Sequence, residues 1–155
     1  MDEIGKALSA YAREVADIAG SPGSTEATYY PAVQRLLTAV LRARHLPFEV
    51  RVNTSQRRAA GGADLPDLAF YDGAGDFVVV FGELKTPEAE LADLAVSTER
   101  GDQIGRYLAR TGVVLLGNVR AFGLLAVDSA HPHLGDGRVP PDRRRLLEVV
   151  DLWCQ

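Results

Sequence analysis

Two carboxylates and one ammonium group fall within a short central stretch of the chain. Asp67 opens a short apolar segment, 67–71, and Glu83 and Lys85 end a longer apolar segment, 76–85. A turn with two glycines joins the segments, which predicts a β-hairpin. Because a hairpin brings the start of its first strand beside the end of its second, we expect these three side chains to meet at one end of a sheet.

Converging carboxylates are hard oxygen ligands of the kind that Mg²⁺ prefers. A bound Mg²⁺ polarises a phosphodiester and lowers the pKa of a water ligand, and a neighbouring lysine positions or activates the attacking water. We therefore predict a metal site formed by Asp67, Glu83 and the backbone carbonyl of Leu84, with Lys85 acting on the water. Mg²⁺ is the expected ion, and Mn²⁺ is expected to substitute for it.

The same residues also have a simpler interpretation. A Glu and a Lys two positions apart at a strand end often form a solvated pair, and an Asp that opens a strand is often a turn residue. The lysine content favours catalysis, because the chain has only two lysines, Lys6 and Lys85, among its 17 basic residues. Arginine cannot replace lysine as a tunable proton acceptor.

Composition restricts the class of protein. With 155 residues, 46% hydrophobic and 25% charged, the chain is expected to form one soluble domain, cytoplasmic and bacterial, with no membrane span. One cysteine, Cys154, excludes an internal disulfide and a cysteine-based zinc site, and three histidines give a two-histidine site little support. The net charge of −4 argues against tight autonomous binding to nucleic acid.

Hydrophobic periodicity predicts alternating helices and strands around the hairpin. The order helix, three strands, helix, strand is that of a mixed α/β layer arrangement. We predict helices at 2–19, 25–44, 88–96, 102–110 and 141–153, and strands at 48–52, 67–71, 76–85, 113–116 and 120–127.

Further candidate residues lie outside the hairpin. Glu26 falls on the apolar stripe of the second helix, where it is either a favourable charge at a helix N-terminus or an acid directed into the site. We favour the site, with Glu26 as a further metal ligand. Arg57 and Arg58 lie in a polar, glycine-rich loop before Asp67 and are candidate phosphate contacts. A solvated loop explains these two arginines equally well.

Pro66-Asp67, a hairpin and Glu83-Leu84-Lys85 together resemble the PD-(D/E)XK nuclease superfamily. The resemblance covers residues 24–127 and implies an α/β, restriction-endonuclease-like αβββαβ core. In such a core helices flank a central mixed sheet, here with an extra N-terminal helix within 1–20 and a C-terminal helix at 141–153. Gln103-x-x-x-Tyr107 on the helix after the Glu-x-Lys strand resembles RecB- and Mrr-like members, which implies that Gln103 supports the metal and lysine site while Tyr107 packs nearby.

A closer likeness is to the N-terminal nuclease domain of type ISP-like restriction–modification enzymes. It implies DNA as substrate, a role in restriction or anti-phage defence, and a fused or associated helicase or methyltransferase module that holds the DNA. The chain itself carries no such module, so we expect an excised domain or a small stand-alone relative, and Leu84 stands where the family can have alanine. The matching stretches are 25–31, Pro66-Asp67, 83–85, 101–107, and 115–118 with Phe122.

The predicted function is a metal-dependent DNA endonuclease, with Asp67, Glu83, Lys85, Gln103 and Glu26 as its catalytic residues. Because each domain has one site and a duplex has two strands, cutting of both strands would need a homodimer or two separate encounters. The alternative is an inactive nuclease-like module that binds DNA or docks a partner through an apolar side of the last helix (Leu147, Val150, Trp153). An unrelated α/β domain would need the motif residues to fall in register by chance.

Overall fold

A computed structural model of the chain describes residues 2–52, 65–128 and 137–153. Within these ranges it contains four α-helices, six strands and two short 3-10 helices. The helices are α1 (Glu3–Ala19), α2 (Tyr30–Ala43), α3 (Leu91–Val96) and α4 (Glu99–Thr111), and the 3-10 helices are Glu26–Tyr29 and Pro141–Arg143. The strands are β1 (Glu49–Val52), β2 (Leu68–Tyr71), β3 (Val78–Leu84), β4 (Val113–Gly117), β5 (Ala121–Val127) and β6 (Arg144–Asp151).

The six strands form one mixed sheet whose spatial order follows the chain, β1 to β6. Neighbouring strands are antiparallel except β3 and β4, which are parallel. A parallel pair needs a crossover connection, and α3 and α4 provide it. The predicted mixed α/β sheet flanked by helices is therefore confirmed.

Apolar side chains alternate between the two faces of the sheet and build two cores. One core joins α1 and α2 to one face, where Val33 and Leu36 pack with Leu68, Phe70 and Leu84. The other core joins α3 and α4 to the opposite face, where Leu94, Tyr107 and Leu108 pack with Phe81 and Val114. The hairpin β2–β3 thus lies between two helical layers.

The second predicted helix divides in two. Glu26–Tyr29 is a 3-10 turn, and the regular helix α2 begins at Tyr30 with Pro31 in its first turn, where proline is well tolerated. The backbone N–H of Thr25 donates to Thr28 Oγ1 at 3.1 Å, which supplies a partner at the start of the turn. Glu26 is thereby placed one turn ahead of the α2 face that carries Tyr30.

Helix α3 begins at Leu91, three residues later than predicted. The backbone N–H of Ala89 donates to the carbonyl of Thr86 at 3.1 Å, so Pro87 occupies a separate turn and not the first turn of the helix.

The predicted closing helix at 141–153 is wrong. Pro141–Arg143 is a 3-10 turn, and Arg144–Asp151 is the edge strand β6, antiparallel to β5. The pairing opposes Leu125 with Leu146 and Leu124 with Glu148, so Leu147 is an extra residue in a β-bulge. The bulge breaks the alternation of apolar residues, which is why the segment resembles a helix in sequence.

Among the described residues, no helix is long and apolar enough to cross a membrane.

Candidate active site

The β2–β3 hairpin places the two central carboxylates at the same end of the sheet. Leu68 pairs with Gly82, so Asp67, the residue before β2, lies beside Glu83. A Cβ at Gly82 would approach the Cβ of Leu68 to 2.8 Å, so glycine permits this close pairing. Asp67 is 5% exposed and Glu83 is 3% exposed. Carboxylates are rarely buried to this extent without a partner, so the contacts of both side chains need to be identified.

The backbone and a tyrosine hold Asp67 in place. Its Oδ2 accepts the backbone N–H of Leu84 at 2.8 Å, and its Oδ1 accepts the Tyr30 hydroxyl at 2.6 Å. The same hydroxyl lies 3.0 Å from Glu26 Oε1. One hydroxyl proton therefore lies between two carboxylates.

Tyr30 is a site residue that sequence reasoning missed. A tyrosine in an apolar helical stripe is expected in the core, and the available signal was its position four residues after Glu26 on the same face. Burial raises the pKa of the Tyr30 hydroxyl above its ordinary value, as do its hydrogen bond to Asp67 and the charges of Asp67 and Glu26. The hydroxyl therefore remains a proton donor.

Lys85 joins the acidic residues from the end of β3. Its ammonium Nζ lies 2.9 Å from Glu83 Oε1 and 3.8 Å from Glu26 Oε2. Burial by itself lowers the pKa of Lys85, but the hydrogen bond to Glu83 and the charges of Glu83, Glu26 and Asp67 outweigh burial, so the pKa is raised overall. In the metal-free state Lys85 is an ammonium ion that balances the carboxylates.

Glu83 is the least satisfied group in the site. Its Oε2 is buried and, within the described residues, has no hydrogen-bond partner. Burial raises the pKa of Glu83 to about 7, and the charge of Asp67 adds to the increase, while Lys85 and Arg100 act in the opposite direction. A proton or a cation at Oε2 would reduce the free-energy cost of burying this carboxylate.

Helix α4 contributes Gln103 and Tyr107, both buried. Gln103 Nε2 donates to the Tyr107 hydroxyl and lies 3.4 Å from the carbonyl of Leu65. The Tyr107 ring stacks on Phe81 with centroids 4.7 Å apart. These hydrogen bonds attach Gln103 to the segment before Asp67, and Gln103 lines the same cleft as Glu83 and Lys85.

The cleft beside Glu83 also has a wall that sequence reasoning missed. Ser97, which follows α3, and Glu99 and Arg100, at the start of α4, line it together with Leu94 and Ile104. In sequence the residues between the predicted helices 88–96 and 102–110 were interpreted only as a break. The predicted phosphate contacts Arg57 and Arg58 lie outside the described residues.

The donor set fits a hard divalent cation. Within the described ranges, no three His, Cys, Asp or Glu side chains form a ready metal cluster. Asp67 and Glu83 nevertheless converge, and Glu83 retains a buried oxygen without a partner. Mg²⁺ needs only one or two protein carboxylates because it keeps several waters.

Comparison with known proteins yields a structural match. No protein-family model and no curated protein matches the chain. A solved structure, described as a cryo-EM structure of a DrdV–DNA complex, superposes on 95% of the chain with a TM-score of 0.55 and 17% sequence identity. The fold is restriction-endonuclease-like. The chain corresponds to 12% of the length of that DrdV chain.

Proposed function

We propose that this chain is a metal-dependent endonuclease domain that hydrolyses phosphodiester bonds in DNA. The observation that carries the proposal is the buried Glu83 Oε2, which has no partner among the described residues and lies beside Asp67. A structural pair at a strand end would be solvated or fully satisfied, whereas the ionised form of Glu83 is costly here unless a cation binds Oε2. The DNA complex of the structurally similar DrdV supports DNA as the substrate.

Each residue has a distinct task in the proposed reaction. Asp67 and Glu83 would hold Mg²⁺ or Mn²⁺, together with the Leu84 carbonyl. Glu26, whose Oε2 lies 3.8 Å from Lys85 Nζ, would add a third carboxylate to the site. A bound Mg²⁺ supplies Lewis-acid polarisation of the phosphate and a lowered pKa of water. Tyr30 orients Asp67 through their 2.6 Å hydrogen bond.

Lys85 and Gln103 organise the other side of the site. The raised pKa of Lys85 supports positioning of water and stabilisation of developing negative charge over proton abstraction. Gln103 anchors α4 to the segment that leads into Asp67. Its hydrogen bonds go to Leu65 and Tyr107, so its support of Lys85 is through placement of the cleft wall.

Nicking of supercoiled plasmid by the purified domain in Mg²⁺ and in Mn²⁺ tests the proposal. We expect Asp67→Asn and Lys85→Met to lose activity by about 100-fold or more, because the first removes a charge that would hold the metal ion and the second removes the charge that would stabilise the reacting phosphate. Lys6→Met is a matched control, since Lys6 is the other lysine and is exposed on α1. Asp17→Asn, also exposed on α1, is the control for the carboxylate.

Two results would contradict the assignment. If folded Asp67→Asn or Lys85→Met cuts as fast as the parent, these residues do not act in catalysis. If the parent does not cut in either ion and no Mn²⁺ binds in a calorimetric titration, the alternative of an inactive DNA-binding or docking module is favoured. Leu147, Val150 and Trp153, which that alternative uses as its docking surface, are exposed. They lie on and after strand β6 and not on one side of a helix.

The biological setting remains part of the proposal. The resemblance to type ISP-like enzymes supports a nuclease of restriction–modification or anti-phage defence in the bacterial cytoplasm. In that setting a helicase or methyltransferase module would hold the DNA, and a second copy would cut the second strand. The net charge of −4 agrees with DNA affinity supplied in part from elsewhere.

A further inference from the structure

Helix α4 has an unusual backbone near its N-terminal end, where a kink follows Glu99. Arg100, Gly101 and Asp102 have φ angles of 53°, 66° and 64°, so three successive residues are left-handed. Only glycine adopts this conformation without steric cost, and runs of it are rare. Such a turn persists where its surroundings impose it, and strained turns of this kind cluster at functional sites.

Two arginines impose the turn from either side. Arg106 donates to the backbone carbonyl of Gly101 and, at 3.0 Å, to that of Arg100. Arg144, whose side chain is fully buried, binds the carboxylate of Asp102 and donates to the Ser97 carbonyl at 2.8 Å. The turn is thus held as a rigid unit at the N-terminal end of α4.

The turn places one cation beside the candidate active site. Arg100 lines the cleft that contains Glu83, Lys85 and Gln103, and its charge acts on Glu83. Within the described residues the Arg100 guanidinium has no hydrogen-bond or ion-pair partner, whereas the Lys85 ammonium is engaged by Glu83. Arg100 is exposed, so its donors are available to a ligand.

Arginine at such a position suits a phosphate. A guanidinium presents a planar fork of donors that matches phosphate oxygens, and it keeps its charge at every physiological pH. A solvated surface arginine would need neither the left-handed turn nor two clamping arginines. We propose that Arg100 binds a backbone phosphate of the DNA strand held at the Glu83–Lys85 site.

This inference rests on the proposed function for its ligand, but its test does not require cleavage. Binding of a fluorescent DNA duplex is measured by anisotropy over a range of NaCl concentrations, with Ca²⁺ in place of the catalytic ion. We expect Arg100→Asn to weaken binding of duplexes of different sequence equally and to reduce the slope of log K against log salt by about one. Arg100→Lys should retain most of the slope.

Asparagine is chosen because it tolerates the left-handed conformation, so the turn should survive. Arg100→Gly adds a second test: it should stabilise the fold by relieving the backbone while weakening DNA binding as much as asparagine does. Arg42→Asn, an exposed arginine on α2, is the control for loss of one positive charge.

The outcomes separate this inference from the nuclease proposal. If folded Arg100→Asn binds with the affinity and slope of Arg42→Asn, or if the parent does not bind the duplex, the inference is overturned. A parent that cuts plasmid while the slope is unchanged leaves the nuclease standing without this contact. A parent that binds with the Arg100-dependent slope but does not cut leaves the contact standing without the nuclease.

Discussion

At the scale of single residues, the surroundings of Glu83 have the largest effect on the chemistry of the site. The residue is 3% exposed, its Oε1 accepts from Lys85 at 2.9 Å, and its Oε2 has no partner among the described residues. Burial and the nearby charge of Asp67 raise its pKa from 4.5 to about 7. The folded protein therefore binds a proton more tightly than the unfolded chain does.

This shift predicts how stability depends on pH in the absence of metal. A raised folded-state pKa contributes stability that is fully present below pH 4.5 and is lost as pH rises through about 7. At about 1.4 kcal/mol per pKa unit, the loss has an upper limit of about 3.5 kcal/mol. Glu83→Gln removes the titrating group, so it should be stabilising relative to the parent at pH 8 and much less so at pH 5.

Urea unfolding in EDTA at the two pH values measures this difference. Glu148→Gln, at an exposed position on β6, provides the control and should show the pH dependence of the parent. Equal pH dependence for Glu83→Gln and the parent would mean that Glu83 is not held against its charge. In the parent, Mn²⁺ at pH 8 should restore stability by binding to the charged form.

Residue types and spacing were sufficient to predict the central group of this site. Asp67, Glu83 and Lys85 lie on one hairpin, and strand pairing at short range fixes their register. Tyr30 was not predicted, because the hydrogen bond between its hydroxyl and Asp67 joins residues 37 positions apart. Arg100 was not predicted, because Gly101 beside it indicated only a break in the helix and not which side chain the turn would place in the cleft.

At the scale of secondary-structure elements, β6 shows where sequence patterns fail. Its bulge places Leu146 and Val149 on one face and Glu148 and Val150 on the other, so apolar residues do not alternate. The resulting spacing of three also suits a helix face. Only pairing with β5, which is a tertiary property, selects the strand.

The same strand locks the start of α4 through Arg144. Gly105 lies so close to this residue that a Cβ there would approach Arg144 Nη2 to 2.7 Å and would collide with the Asp102 carboxylate. The side chain of Arg144 is 0% exposed and that of Asp102 11% exposed, so the ion pair is buried. It connects the sheet edge to the helix that carries Gln103.

Arg144→Met is therefore expected to destabilise the fold by about 3–5 kcal/mol, because it leaves Asp102 buried without its cation. The double variant Arg144→Met/Asp102→Asn should be more stable than Arg144→Met, since it removes the unpaired charge. Urea unfolding measures both variants. Arg145→Met, at the exposed neighbouring position, should change stability by no more than about 0.5 kcal/mol.

The single variant Asp102→Asn completes the comparison. A double variant whose loss of stability equals the sum of the losses in Arg144→Met and Asp102→Asn would contradict this account. In that case the two residues would contribute independently. The lost hydrogen bonds from Arg144 to the carbonyls of Ala95, Ser97 and Val139 would then explain the cost of its removal.

At the scale of the whole molecule, the sequence predicted the layers but not the way in which they close. Helix, three strands, helix and strand follow from periodicity, and a parallel pair flanked by helices follows from that order. The contact between α1 and the last described residues does not follow from periodicity, because it depends on strand β6, which was not predicted. The Tyr11 and Trp153 rings meet edge to face with centroids 6.3 Å apart, and the Tyr11 hydroxyl donates to the Val119 carbonyl at 2.6 Å.

These contacts make Trp153, the single tryptophan, a reporter of global folding. Since α1, the β4–β5 turn and the end of β6 pack together there, we expect Trp153 fluorescence and far-UV circular dichroism to give coincident urea transitions. Tyr11→Phe should lower the free energy of unfolding by about 1 kcal/mol, because the buried Val119 carbonyl loses its donor. Both transitions should therefore move together to lower urea concentration. Fluorescence that changes at lower urea than circular dichroism would instead show that the β6 edge and α1 separate before the central sheet unfolds. In that case the ion pair between Arg144 and Asp102 would be lost first. The nuclease activity would then disappear while most of the sheet remained folded.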